Sequence, residues 1–382
     1  MRRVGMLLVG ILISAAGARA QIGKSVSVSA GTPEDKALGE IYAATDPAQK
    51  LQLLDKFMSE FGKGDLEMLG DQIYASTYLE QKNYNMAYEY AQKVLGLDAD
   101  NFSAAVTLVH AAEGMKDASK MFDAAAQAVD ILKRYEAAPR PEGTPEQQWE
   151  QDRDQNLENA KGDVSYMQYA LYQAAFGATD PAAKAGYFER LVTLFPDSPY
   201  ALDAAEQSVF AYQQAQNFPK MIAAAQNILA AHPDDAGMLV LLADYWSDKG
   251  LDVDKAGANA QKALDVLGKA TKPGNVTDEQ WQQQVSVQKG VAYSALGQVD
   301  VIRGRNAQAV EAFKEANPLL KTVPYYYGRN LYRLGFTLAK MQRIPEAKDA
   351  LNQAIAVNSP YRGLAQQTLD KIGGAPPRRT KH

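Results

Sequence analysis

No cysteine occurs in the 382 residues, and only three histidines and three tryptophans do. The first absence excludes disulfides, thiolate chemistry and cysteine-based metal sites. It also excludes a lipid anchor on an N-terminal cysteine. The histidines are His110, His232 and His382, and no two share the spacing of metal ligands. No glycine-rich phosphate loop and no serine elbow of the hydrolase kind is present. Asp152-x-Asp154-x-Asn156 opens like a calcium loop, but Leu157 stands where the glycine is needed. The acidic pair Asp234-Asp235 reads as a loop feature, not as a catalytic dyad. These absences predict no metal, no cofactor and no enzymatic activity. A formal net charge of −5 argues against nucleic acid as a partner.

Long apolar runs are also missing, apart from one near the start. Met1-Arg2-Arg3 is basic, Val4 to Ala16 is apolar but short for a membrane span, and Ala18-Arg19-Ala20 has the small-x-small form of a signal-peptidase site. Residues 1–20 are therefore read as a cleaved signal peptide, with Gln21 as the mature start and a periplasmic or secreted location. Loss of three arginines takes the mature net charge from −5 to −8. No transmembrane segment is expected after cleavage.

The remainder is rich in alanine and in helix-start signals. Residues 21–32 are small and polar and read as a flexible leader. Thr32-Pro33 and Asp46-Pro47 open helices. Thr144 to Gln147 and Thr277 to Gln280 have the form of capping boxes. Pro139 to Gly143 and Lys272 to Asn275 are helix-breaking loops. The clearest unit is Gly290 to Leu320. Tyr293, Leu296 and Gly297 mark one face of a first helix. Gly304 marks a turn, and Ala309, Phe313 and Ala316 mark one face of a second. Gly297 and Ala309 sit where two antiparallel helices approach closely, and Phe313 fills the space beside them.

Residues 68–101, 202–235, 236–269 and 328–361 repeat this pattern, and 102–138 continues it in looser form. A longer period overlies it: Ala44 to Lys50 recurs as Ala178 to Lys184, a shift of 134, and Trp149 recurs as Trp281 at 132. The chain is thus read as a duplicated helical array over 33–269. Further repeats with a capping helix follow over 270–372, and then a basic, disordered tail over 373–382. One hairpin cannot bury its apolar face alone, so neighbours must stack on it.

The spacing Tyr-x2-Leu-Gly, then Gly, then Ala-x3-Phe-x2-Ala resembles the tetratricopeptide repeat. The resemblance covers nearly all of 33–372. It implies an all-α, right-handed superhelical solenoid whose first helices line a concave binding face, and it implies no reaction. Phe195 to Tyr200 is similar to segments of repeat proteins from bacterial envelopes. The expected function is a non-enzymatic protein-interaction scaffold of the envelope. The alternatives are a cell-wall glycan-binding module and an accessory subunit of an envelope enzyme.

One cluster stands out as a candidate site. Arg329, Tyr332, Arg333, Phe336 and Lys340 follow the aromatic run Tyr325 to Tyr327, and four of the five share one helical face. Arg329 and Arg333 occupy the two repeat places that hold basic residues in carboxylate-clamp members of the family, whereas Ala295, Val240 and Asp244 depart from that pattern. The resemblance implies half a clamp, for an acidic or C-terminal peptide segment, with both arginines facing solvent.

Overall fold

A computed structural model describes residues 22–274 and 276–373. The predicted signal peptide, Gln21 and the tail from 374 onward lie outside the described residues. Those residues form seventeen α-helices and no strand. No helix among them is long and apolar enough to cross a membrane. The chain divides into two compact units at Gln216/Asn217.

Unit 1 holds α1 (Pro33–Ala43), α2 (Pro47–Phe61), α3 (Asp65–Glu80), α4 (Tyr84–Leu97), α5 (Phe102–Gly114), α6 (Ala118–Glu136), α7 (Glu146–Gly177), α8 (Pro181–Leu194) and α9 (Ala201–Gln214). Unit 2 holds α10 (Phe218–Ala231), α11 (Ala236–Lys249), α12 (Val253–Lys269), α13 (Asp278–Ile302), α14 (Asn306–Leu320), α15 (Pro324–Lys340), α16 (Ile344–Ala356) and α17 (Arg362–Gly373). Within each unit, every helix packs on the next in sequence. The first helices of successive hairpins also touch, as α3 does α5 and α11 does α13. The sequence reading places a break at 270. The structure does not, because α13 packs on both α12 and α11 and the 270–277 loop is internal to unit 2.

The hairpin turns are built alike. Lys82, Lys116 and Gln342 take positive φ near 58°, the place that Gly304 fills with φ 75°. The following N–H then reaches back five residues: Asn83 to the Tyr78 carbonyl at 2.8 Å, Asp117 to Ala112 at 3.0 Å, Arg305 to Asp300 at 2.8 Å. This satisfies carbonyls that a helix end leaves open. The side chains of Asn83 and Asp117 then cap the second helix by accepting from the N–H groups of Met86 and Lys120. The duplication is visible in the same terms, since Asp46 and Asp180 cap α2 and α8, each followed by proline.

Close packing at the clearest unit is as expected. A Cβ built on Gly297 would lie 2.5 Å from the Phe313 ring. Phe313 and Ala309 are fully buried. The two capping boxes differ. Thr277 and Gln280 bond each other's backbone N–H groups at 3.2 and 3.1 Å. Thr144 forms no box, because α7 begins one residue later, with Pro145 at the cap and no side-chain bond.

The leader is the larger correction. Residues 22–29 form a non-helical segment laid against the α4–α5 corner, with Ile22, Val26 and Val28 packed inward. Ile22 is buried against Phe102, Val26 packs with Met68 and Val94, and Val28 packs beside Leu38. The Lys24 N–H donates to the buried Asp98 carboxylate at 2.7 Å, and the Phe102 N–H donates to the Ile22 carbonyl at 3.4 Å.

Candidate functional site

Three first helices of unit 2, α11, α13 and α15, bring the predicted cluster together with acids that the sequence reading left out of it. Arg329 and Arg333 lie one turn apart on α15, and Asp244 and Asp248 lie one turn apart on α11. The Arg329 guanidinium donates to Asp244 and stands 4.0 Å from Asp248. Arg333 donates to Asp248 at 2.7 Å and to the Ser294 hydroxyl on α13 at 3.4 Å. The arginines are buried, at 3% and 8% exposure. The expectation that they face solvent is therefore wrong, and the reason is the pair of carboxylates waiting at matching spacing on α11. Their charges cancel in place, as buried charges must.

Rings complete the site. The Arg329 guanidinium lies over Tyr326 at 5.1 Å and Tyr325 at 5.6 Å. Tyr361, just before α17, stacks on Tyr332 at 6.1 Å and meets Tyr325 edge-on at 5.8 Å. Tyr332 flanks the arginines and approaches Phe336 at 6.2 Å. Phe336 and Tyr325 are exposed, at 40% and 47%. Lys340 lies over the outer ring, 5.5 Å from Phe336.

Burial works against the charge of Arg329, but the adjacent Asp244 more than offsets it and holds the guanidinium above its usual value. Burial, and then the like charge of Arg329, push Arg333 down to about 10, so it stays cationic at neutral pH. Burial, and then a hydrogen bond with Tyr325, push Tyr361 up to about 12. One donor, Arg329 Nε, is buried with no protein acceptor. The five predicted residues thus fall into two layers. Arg329 and Arg333 are an inner, self-neutralised layer; Tyr332, Phe336 and Lys340 are the accessible one. The signal for the acids was present, since 244 and 248 repeat the spacing of 329 and 333.

Elsewhere, His110 stacks on Tyr166 at 4.1 Å, and burial lowers its pKa. The calcium-like stretch lies inside α7, where the Asn156 amide donates to the Tyr135 hydroxyl at 2.7 Å. Among the described residues no group of three or more histidine, aspartate or glutamate side chains is placed to hold a metal ion.

The architecture is that of a helical-hairpin repeat protein with an aromatic surface braced by ion pairs. Residues 72–101, most of α3 and all of α4 with the corner that follows, match the tetratricopeptide repeat model. The other hairpins follow the same helix–turn–helix order. No curated protein matches the chain. Among solved structures it is similar to NprR in complex with its cognate peptide NprX, at 12% identity over 89% of this chain and 81% of that one, with a TM-score of 0.29. It is also similar to yeast Tom70, at 11% identity over 89% and 94% with a TM-score of 0.33. A third likeness is to the P58(IPK) TPR domain, at 12% over 90% and 98% with a TM-score of 0.31. Overall superposition is low in all three, so the functional reading rests on this chain's own residues.

Proposed function

We propose that this protein is an exported, non-enzymatic interaction scaffold of the bacterial envelope, and that the α11–α13–α15 side of unit 2 takes a protein segment. The observation that carries the reading is the set of rings, exposed Tyr325 and Phe336 with half-buried Tyr332 between them, fixed over the Arg–Asp network. Interfaces concentrate their binding energy in such rigid aromatic anchors. The arginines brace the surface, and Tyr332, Phe336 and Lys340 touch the partner. An acidic or C-terminal segment gains Lys340 at once. To reach Arg329 or Arg333 it must displace Asp244 or Asp248, which favours contact at the rings. Export rests on the pattern of residues 1–20.

Capture from envelope extract tests the site. Tyr332→Ala with Phe336→Ala should lower capture at least tenfold, ~1.4 kcal/mol, with helicity unchanged. Equal capture by the variant would sink the assignment. The glycan-binding alternative draws support from the exposed faces of Tyr169 and Phe176 on α7. Retention on purified cell-wall glycan, with no protein captured, would favour it. Intact mass of the protein from its native source should correspond to a chain starting at Gln21.

A further inference from the structure

Unit 1 carries an aromatic face of its own. Tyr166, Tyr169, Tyr172 and Phe176 recur at three and four residues along α7, so they form one stripe. Tyr169 and Phe176 are more than half exposed, at 52% and 54%. Tyr200, at the entry to α9, stacks on Tyr172 at 5.1 Å and leans on Tyr169 at 6.1 Å, which widens the face. Neighbouring helices of the same unit set a carboxylate at two points along it. Glu113 on α5 accepts from the Tyr166 hydroxyl at 2.6 Å, and Asp203 on α9 accepts from the Tyr172 hydroxyl. Each carboxylate keeps a second oxygen for another donor.

These two charges go unanswered within the unit. None of the unit 1 ion pairs among the described residues involves Glu113 or Asp203. His110 stacks on Tyr166, but burial lowers its pKa and leaves it neutral at pH 7. Lys184 meets the far end of the stripe, 5.4 Å from the Phe176 ring. The surroundings deepen the imbalance, since residues 22–216 hold 16 basic and 30 acidic side chains, a net of −14.

Unit 2 shows what completes a surface of this kind. There Arg329 lies over Tyr326 and Tyr325 and donates to Asp244, so one guanidinium serves rings and a carboxylate together. Unit 1 has the rings and the carboxylates without the arginine. We infer that the α7 face of unit 1 binds an extended, arginine-bearing segment of a partner protein, whose guanidinium groups pair with Glu113 and Asp203 while lying over the tyrosines. Lysine suits the face less well, because a compact ammonium neither stacks flat on a ring nor grips a carboxylate with two parallel bonds. Tyr166 and Tyr172 are six residues apart, ~9 Å of helical rise. Three residues of a polyproline-type chain also span ~9 Å and return to the same side. Arg-Pro-Pro-Arg therefore sets two guanidiniums at that separation, with prolines to lie over Tyr169. The inference is independent of the partner proposed for unit 2, where the acids are already committed to Arg329 and Arg333.

The probe is an end-blocked, fluorescent Gly-Arg-Pro-Pro-Arg-Gly peptide, titrated with the full chain and read by anisotropy. Asp203→Asn and Glu113→Gln each keep an acceptor for the tyrosine hydroxyl and remove only the charge, and each should weaken binding at least ~fivefold. Tyr169→Ala with Phe176→Ala should do the same. Exchanging both arginines of the peptide for lysine should weaken binding at least ~threefold, and raised salt should weaken it further. Tyr332→Ala with Phe336→Ala should leave the titration unchanged, which separates this face from the one proposed for unit 2; loss of binding there would overturn the assignment. No saturable binding below ~1 mM, or binding that neither carboxylate variant alters, would also overturn it. So would a chitin tetrasaccharide that binds the full chain, displaces the peptide and is lost in the ring variant alone, because the face would then be a glycan site. If the ring variant fails to fold, the two carboxylate variants decide.

Discussion

Removing Asp244 should damage this protein far more than removing Asp248, although the two acids are one turn apart and each binds one arginine. Arg329 is almost wholly buried and Asp244 is nearly so, with 16% of its side chain exposed. Asp244→Ala leaves a guanidinium in a dry site with its main acceptor gone, and breaking a buried pair in this way costs ~3–5 kcal/mol. Asp248 is 35% exposed, and its partner Arg333 keeps the Ser294 hydroxyl. Water can replace part of that contact, so Asp248→Ala should cost about 1–2 kcal/mol. Urea unfolding followed by tryptophan fluorescence reads the difference. Trp246 lies between the two acids on α11 and is buried, so it reports on this helix. With a slope of ~2 kcal/mol per molar urea, Asp244→Ala should lower the midpoint of the unit 2 transition by ~1.5–2.5 M. Asp244→Leu with Arg329→Met should recover most of the loss, because an apolar pair of similar volume leaves no buried charge. If both single variants fall within ~0.5 kcal/mol of wild type, the arginines are solvated and the account of the site is wrong.

Three further outcomes follow from particular contacts. Gly297→Leu should cost about 1–3 kcal/mol in the same assay, because even its Cβ would collide with the Phe313 ring. Burial, only partly offset by Lys93, pushes Asp71 up to about 6. Its contribution is therefore fully present below the unfolded value near 4 and is lost as pH rises through 6. Asp71→Asn should flatten the stability profile between those limits, by up to ~2 kcal/mol, and an unchanged profile would contradict the assignment. Thr277→Ala should cost ~1 kcal/mol and speed amide exchange in the first turn of α13. Thr144→Ala, which removes no cap, should do neither.

How much of this was legible beforehand depended on the range of the interaction. Helix starts at Asp46, Asp180 and Thr277 and the Gly297–Phe313 contact are local or fall within one hairpin, and they read correctly. The box at Thr144 failed because Pro145 can cap as well as begin a helix, and the residue pattern does not distinguish the two. Ile22 to Val28 read as a leader because its three apolar residues are diluted by serine and glycine. Their significance comes from Asp98 and Phe102, some 75 residues on. The arginines read as solvent-facing for the same reason. Arginine on a helical face is normally exposed, and nothing near 329 in sequence announces a carboxylate pair 85 residues earlier. The repeat register does bring α11 beside α13 and α13 beside α15, so the equal spacing of 244/248 and 329/333 becomes informative only once the hairpins are stacked.

The central claim is that the first helices of the unit 2 hairpins form the partner surface. Hydrogen exchange of the captured complex against the free protein tests it most directly. Protection should appear on α15 around Tyr325 to Phe336, with weaker protection on α11 and α13, and none on α12, α14 or α16. Protection confined to those second helices, or none anywhere in unit 2, would contradict it.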